Sequence, residues 1–207
     1  MIRTTPIFIL LFSLSGCLPY LWVTPPAKLD IAGGVTVQSG QGNDVKISSG
    51  IQASAGIYPL QVFPDYFERT FDSGIGYSLL YVSPNDDTFV AQYFHGPYLD
   101  LIYFVPIEAN IPLRMFVSGK GMAVLNTPKW GAGLSGQVGI EIFDFTDNDF
   151  ETCSGTGCNM GRAYGESSFA LFLEGSQLFY GDQQLSFFGF GLSFRSPATT
   201  GIGWAIF

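Results

Sequence analysis

The chain has 207 residues, 47% hydrophobic and 16% aromatic but only 13% charged, with 26 Gly and 20 Phe. Its net charge of -8 excludes nucleic acid as a partner, because phosphate binding needs clustered Lys and Arg. No apolar run reaches the roughly 18 residues of a spanning helix, so so few charges leave two architectures: a membrane β-barrel or a soluble β-barrel with a large core.

Arg3 forms a short positive region, and Ile7 to Leu14 form an apolar one. Together they predict a secretory signal. The next residues, Leu14-Ser15-Gly16-Cys17, resemble the lipobox of bacterial lipoproteins. That resemblance implies a signal peptide over residues 1–16, cleavage before Cys17, and a thioether-linked diacylglycerol on the Cys17 sulfur, usually with an acylated amine such as a palmitoyl amide. Two or three acyl chains anchor firmly where one alone is marginal. Leu18 stands where Asp would resemble an inner-membrane retention signal, which favours the outer membrane. Residues 17–28 are expected to be a lipidated tether, kept extended by Pro19, Pro25 and Pro26. Tyr20 and Trp22 in it suit a membrane interface. Residues 29–207 are expected to be the barrel domain.

A period of two then recurs down the chain. The first strand, about Leu29 to Gln38, sets Leu29, Ile31 and Val35 against Asp30, Ala32, Gly34 and Thr36. The second runs from about Lys46 to Tyr58, with Ile47, Ile51 and Ile57 on one face. Pro59 ends it, and Leu60 to Asp72 is expected to be a loop or short surface helix, serving either as an interfacial dock or as a lid over the barrel mouth. The third strand spans Gly74 to Val82. The fourth runs from Thr88 towards Val105, with a bulge at Gly96-Pro97, where proline cannot donate to the ladder. The fifth, about Leu113 to Val124, sets Arg114, Ser118 and Lys120 against Met115 and Val117. The sixth is the clearest: Trp130, Ala132, Leu134, Val138, Ile140 and Ile142 alternate with Gly131, Gly133, Ser135, Gln137, Gly139 and Glu141.

Phe143 to Arg162 is expected to be the longest connection, being rich in Asp, Asn and Gly. The seventh strand, about Gly165 to Ser176, alternates except at Phe172, and the eighth, Gln184 to Arg195, sets four large apolar residues against Gly189, Gly191, Ser193 and Arg195. The run from Gly189 to Phe194 resembles the C-terminal strand signal of outer-membrane barrels, although a tail from Thr200 to Phe207 follows.

These strands predict an all-β fold: a single antiparallel up-and-down barrel of about eight strands, of outer-membrane type. Soluble strands seldom place Gly on an exposed face. A membrane barrel needs such small residues inside, with opposite charges paired among them. The longer connections follow the second, fourth and sixth strands, which puts them at the N-terminal end.

Chemistry is sparse. Cys153 and Cys158 form an even pair in an exported chain and predict a disulfide. With one His in the chain, a four-ligand zinc site is not expected, and no cofactor or metal is predicted. The run from Asp144 to Glu151 offers calcium ligands without the EF-hand spacing, so a solvated acidic loop is preferred. His95, followed by Gly96, Pro97 and Tyr98, lacks the nearby serine of lipid A deacylases, so an aromatic-interface role is preferred to catalysis. The function expected is a lipid-anchored barrel with a structural or partner-binding role, such as an accessory subunit of an envelope export or motility assembly. The expected partners are membrane lipid, through Cys17 and the barrel exterior, and other envelope proteins. Two alternatives stand beside it: a tethered soluble lipocalin-like carrier and an outer-membrane lipid hydrolase.

Overall fold

The computed structural model describes residues 17–39, 45–62, 70–84, 91–107, 112–126, 129–154 and 157–206. Among them are ten strands: β1 (Cys17–Thr24), β2 (Ala27–Ser39), β3 (Val45–Ile57), β4 (Phe71–Val82), β5 (Gln92–Pro106), β6 (Leu113–Asn126), β7 (Lys129–Ser154), β8 (Gly157–Tyr180), β9 (Gln183–Ser196) and β10 (Ala198–Ile206). Strands β2 to β9 pair antiparallel in chain order, and β9 returns to pair with β2, from Ala27 opposite Ser196 to Ser39 opposite Gln184. Eight strands therefore close a barrel without edges.

The wall is turned inside out relative to a soluble barrel. Leu134 and Phe190 are 66% and 69% exposed, whereas Asp100 and Lys120 are 0% and 1% exposed. The alternation expected in β2, β3, β4, β6 and β7 is the one observed, with aliphatic residues outward and Asp30, Ser54, Ser78, Ser118, Lys120, Gln137 and Glu141 inward. Isoleucines and phenylalanines on an outer wall have no water-stable role, and lipid is the solvent that fits them. This is the outer-membrane type of barrel. It overturns the lipocalin-like alternative, which needs the apolar face inside. The larger clefts also open on the outer wall: one of about 1010 Å³ is bordered by Leu29, Ala55, Ile75 and Leu99, and one of about 650 Å³ by Met115, Ile140 and Leu171.

Four strands outgrow the barrel at one end. β7 and β8 form a hairpin whose pairing runs unbroken from Gly131 opposite Tyr180 to Ser154 opposite Gly157. The upper part of β8 pairs with β10 (Tyr164 opposite Ala198), and β10 pairs with β1 (Thr24 opposite Thr199). The result is a rim extension with strand order β1-β10-β8-β7. Three expectations are corrected here. The connection Phe143 to Arg162 is strand over its described residues, 143–154 and 157–162, because β7 and β8 supply each other's hydrogen-bond partners there. Residues 17–24 of the tether and residues 200–206 of the tail are strands, because each supplies the other's hydrogen-bond partners.

Two smaller differences have local causes. No residue is inserted at Gly96-Pro97: the β5–β6 pairing lapses between His95 and Tyr98 and resumes in the same register, so Pro97 meets no acceptor it must satisfy. Phe172 does not break the alternation of β8. It points inward and is 3% exposed. The extra residue in β8 instead lies at Gly165, between the pairings Ser168 opposite Arg195 and Tyr164 opposite Ala198. Its φ of +126° is one that L side chains rarely adopt.

Candidate functional site

The barrel interior holds two groups of charge. In the first, Lys120 Nζ lies 2.7 Å and Lys28 Nζ 3.1 Å from Asp30 Oδ2. Lys28 also lies 3.8 Å from Asp100. The Tyr58 hydroxyl donates to Asp100 Oδ2 at 2.5 Å, and Ser118 donates to its Oδ1 at 2.8 Å. Glu174 accepts from Gln52 at 2.8 Å, Gln137 at 3.2 Å and Ser135 at 2.5 Å. In the second group, at the rim, Arg114 binds Glu141 and Glu166. Arg195 lies 3.1 Å from Asp72 and 3.7 Å from Glu166. Charges withdrawn from water survive only when paired in this way.

Aromatic rings fill the space between these groups. The Arg114 guanidinium lies 3.6 Å from the Phe104 ring centre, and Arg195 lies 5.1 Å from the same ring and 5.2 Å from Tyr58. Inward glycines make room for the rings. A Cβ on Gly139 would fall 2.6 Å from the Phe116 ring, one on Gly191 2.5 Å from Phe172, and one on Gly76 2.6 Å from Tyr98. The small-residue lumen expected from the sequence is therefore not a wet gap: its glycines are floors on which large rings lie. A void of about 10 Å³ beside Gln52, Ser78, Phe94 and Leu178 has room for one water at most. A 3₁₀ turn, Pro59–Val62, follows β3, and Gln61 beside Tyr58 is fully buried. This places the start of the Leu60–Asp72 segment at the mouth as a cover, while residues 63–69 lie outside the described ones.

The rim extension has two unlike faces. On one, a Cβ on Gly201 would meet the Trp22 ring at 2.7 Å and one on Gly203 the Tyr20 ring at 2.5 Å. Trp22 lies 5.6 Å from Phe150, and the Tyr20 hydroxyl donates to Asn159 Oδ1 at 2.5 Å. On the other, Leu21, Val23, Met160 and Ile202 are exposed, and Arg162 makes two bonds to Asp147, at 2.6 and 2.8 Å. The hydrogen bonds that Arg162 donates to Asp147 raise its pKa above the usual value.

The predicted site residues lie apart from the lumen. Cys17 opens β1 opposite Ile206 at the far end of the extension. Cys153 and Cys158 are cross-strand neighbours near the β7–β8 tip and are joined as a disulfide. Among the described residues, Glu151 and these two cysteines are the one group placed to ligate a metal, but both sulfurs are already bonded to each other. The acidic run from Asp144 is strand rather than loop: Asp144 lies on one face and Asp147, Asp149 and Glu151 on the other, where Asp147 already pairs with Arg162. His95 lies on the outer wall, where Nδ1 meets the Tyr77 hydroxyl at 2.5 Å, near the mutually tilted rings of Tyr81 and Tyr93. These aromatics form a cluster on the outer wall of the kind that suits a membrane interface, and the hydrogen-bond partner of His95 there is a phenol. What the sequence left unread was the extension. Its traces were Gly201 and Gly203 spaced to sit under Trp22 and Tyr20.

No protein-family model matches the chain, and no curated protein matches it in sequence. Solved structures similar to it include two surface proteins. Neisserial surface protein A shares 8% identity over 84% of this chain and 98% of that one, with a TM-score of 0.43. The attachment invasion locus protein Ail of Yersinia pestis shares 6% over 83% and 98%, with a TM-score of 0.41.

Proposed function

We propose that this protein is a non-conducting, non-catalytic outer-membrane barrel that holds the rim extension at the membrane surface for an envelope partner. The observation that carries this reading is the filled lumen: paired charges and aromatic rings occupy the space that a pore or ligand pocket would need. The wall is then a foundation, and what it supports is the four-stranded extension. Export and lipidation at Cys17 belong to the same reading, supported by the lipobox resemblance and by the position of Cys17 at an end of the extension. The structural role is favoured over the hydrolase because His95 is bonded to the Tyr77 phenol and is followed by Gly96, Pro97 and Tyr98, with no nearby serine. The test is a pair of measurements on protein purified from bacterial membranes. Planar-bilayer recording should show no steady conductance, and intact-mass analysis should show diacylglyceryl and acyl additions that vanish in Cys17→Ser. Stable ohmic steps would contradict the foundation role. An unmodified Cys17 would remove the anchor.

A further inference from the structure

One edge of the extension is open. Strand β6 accompanies β7 only as far as Leu113 opposite Ile142, and one more bond, donated by the Phe143 N–H to the Pro112 carbonyl, closes that pairing. In an antiparallel strand the N–H and C=O of one residue point to the same side, and those of the next residue to the other. Phe143 points towards β6, so Asp147, Asp149 and Glu151 point the same way, past the place where β6 begins. The intervening Asn148 and Phe150 face β8, opposite Ala163 and Gly161. Among the described residues no strand pairs with β7 on that side beyond Phe143. The edge is also clear of lipid. The outward apolar positions of β7 run from Trp130 to Ile142. At about 3.3 Å per residue and a tilt near 40° they rise about 30 Å, the thickness of the hydrocarbon core. The residues from Asp147 to Cys153 stand beyond it and, Phe150 apart, are exposed.

Charge decides what this edge accepts. Among the described residues Arg162 is the one cation of the extension, against Asp144, Asp147, Asp149 and Glu151. Three of those carboxylates, on Asp147, Asp149 and Glu151, belong to the residues whose backbone faces the open side, and they recur on one face at every second position. A second copy of this chain does not fit. Strand β7 against another β7 sets carboxylates opposite carboxylates, and like charges directly opposite destabilise a sheet. Charges of one sign guard an edge against its own kind and leave it open to the opposite sign. The other edge of the extension, β1, is interrupted by Pro19 and stopped by Pro25, which have no N–H to donate. We infer that the β7 edge from Asp147 to Cys153 takes up one strand of a partner protein, an extended segment with lysine or arginine at every second residue. Backbone hydrogen bonds hold that strand, as in other additions to a sheet edge, and its cations lie beside the carboxylates. The inference deepens the partner-holding role proposed above and rests on it.

The test uses the full chain in detergent micelles with short synthetic peptides, their ends blocked, one alternating lysine with valine and one alternating glutamate with valine. Amide hydrogen exchange is read by NMR. The lysine peptide should slow exchange at Asp147, Asp149 and Glu151 and leave Asn148 and Phe150, already bonded to β8, as they are, whereas the glutamate peptide should slow nothing. Asp149→Asn with Glu151→Gln should weaken binding of the lysine peptide by about two- to thirty-fold, the loss of two cross-strand charge pairs. A lysine peptide N-methylated on every backbone nitrogen keeps its charge but not its donors, and should bind more weakly. Equal binding by the methylated peptide would reduce the edge to charge attraction alone and overturn the inference, as would unchanged exchange at Asp147, Asp149 and Glu151. Ohmic steps in the bilayer recording beside slowed exchange would remove the foundation role and keep the docking edge. Unchanged exchange beside a silent bilayer would do the reverse.

Discussion

Glycines serve opposite purposes on the two sides of this wall. A methyl group on Gly139 would meet both the Phe116 ring and the Leu171 carbonyl, at 2.6 and 2.5 Å, whereas one on Gly121 would meet nothing within 4 Å. Overpacking of this kind costs about 1–3 kcal/mol, so Gly139→Ala should lower the urea midpoint of refolded barrel in vesicles. Gly121→Ala should leave it unchanged or raise stability by roughly 0.5–1 kcal/mol, since glycine weakens a strand interior. Lys120 is the cation between Asp30 and Ser54. Lys120→Met should lower the midpoint in the same experiment, because it leaves the buried Asp30 carboxylate with Lys28 alone as its counterion. At this scale the sequence was readable wherever alternation was regular: Asp30, Lys120 and Glu141 could be assigned to the lumen from their neighbours alone. Phe172 and Phe116 could not, because an inward ring depends on a glycine of the adjacent strand, Gly191 for one and Gly139 for the other.

The β7–β8 hairpin shows why elements were harder to read than faces. Its upper half, from Phe143 to Arg162, has the composition of a loop. It is a sheet because β8 gains a second neighbour in β10, and β10 a third strand in β1. Those partners lie at the two ends of the described chain, Cys17 opposite Ile206, and no local pattern announces so distant a pairing. The disulfide fastens the tip of this hairpin and nothing in the barrel. Cys153→Ser with Cys158→Ser should therefore act locally. Hydrogen exchange should quicken over residues 147–164, while the amides of β2 to β6 keep their protection and the barrel its unfolding midpoint. Loss of protection around the whole barrel would mean that the extension and the wall fold as one unit.

As a whole the molecule reverses the usual arrangement of a soluble domain, burying ions and exposing aliphatic side chains and rings such as Phe188, Phe190 and Phe194. Among the described residues, four cations, Lys28, Arg114, Lys120 and Arg195, share the interior with six carboxylates, Asp30, Asp72, Asp100, Glu141, Glu166 and Glu174. The outer wall offers lipid an apolar band. The two ends of the described chain, Cys17 and Ile206, pair in the extension, so the compartment that this end of the barrel faces receives the extension. Fold class was legible from composition and periodicity because both follow from the solvent on each side of a strand. The rim extension was not, because its role is set by what it continues. The most direct test is to fold Cys17→Ser protein with and without detergent micelles or vesicles, and to read sheet content by circular dichroism and heat-modifiable migration by gel. Folded, heat-modifiable barrel should form only where micelle or bilayer is present. A monomeric, fully folded protein in plain buffer would contradict a wall that faces lipid.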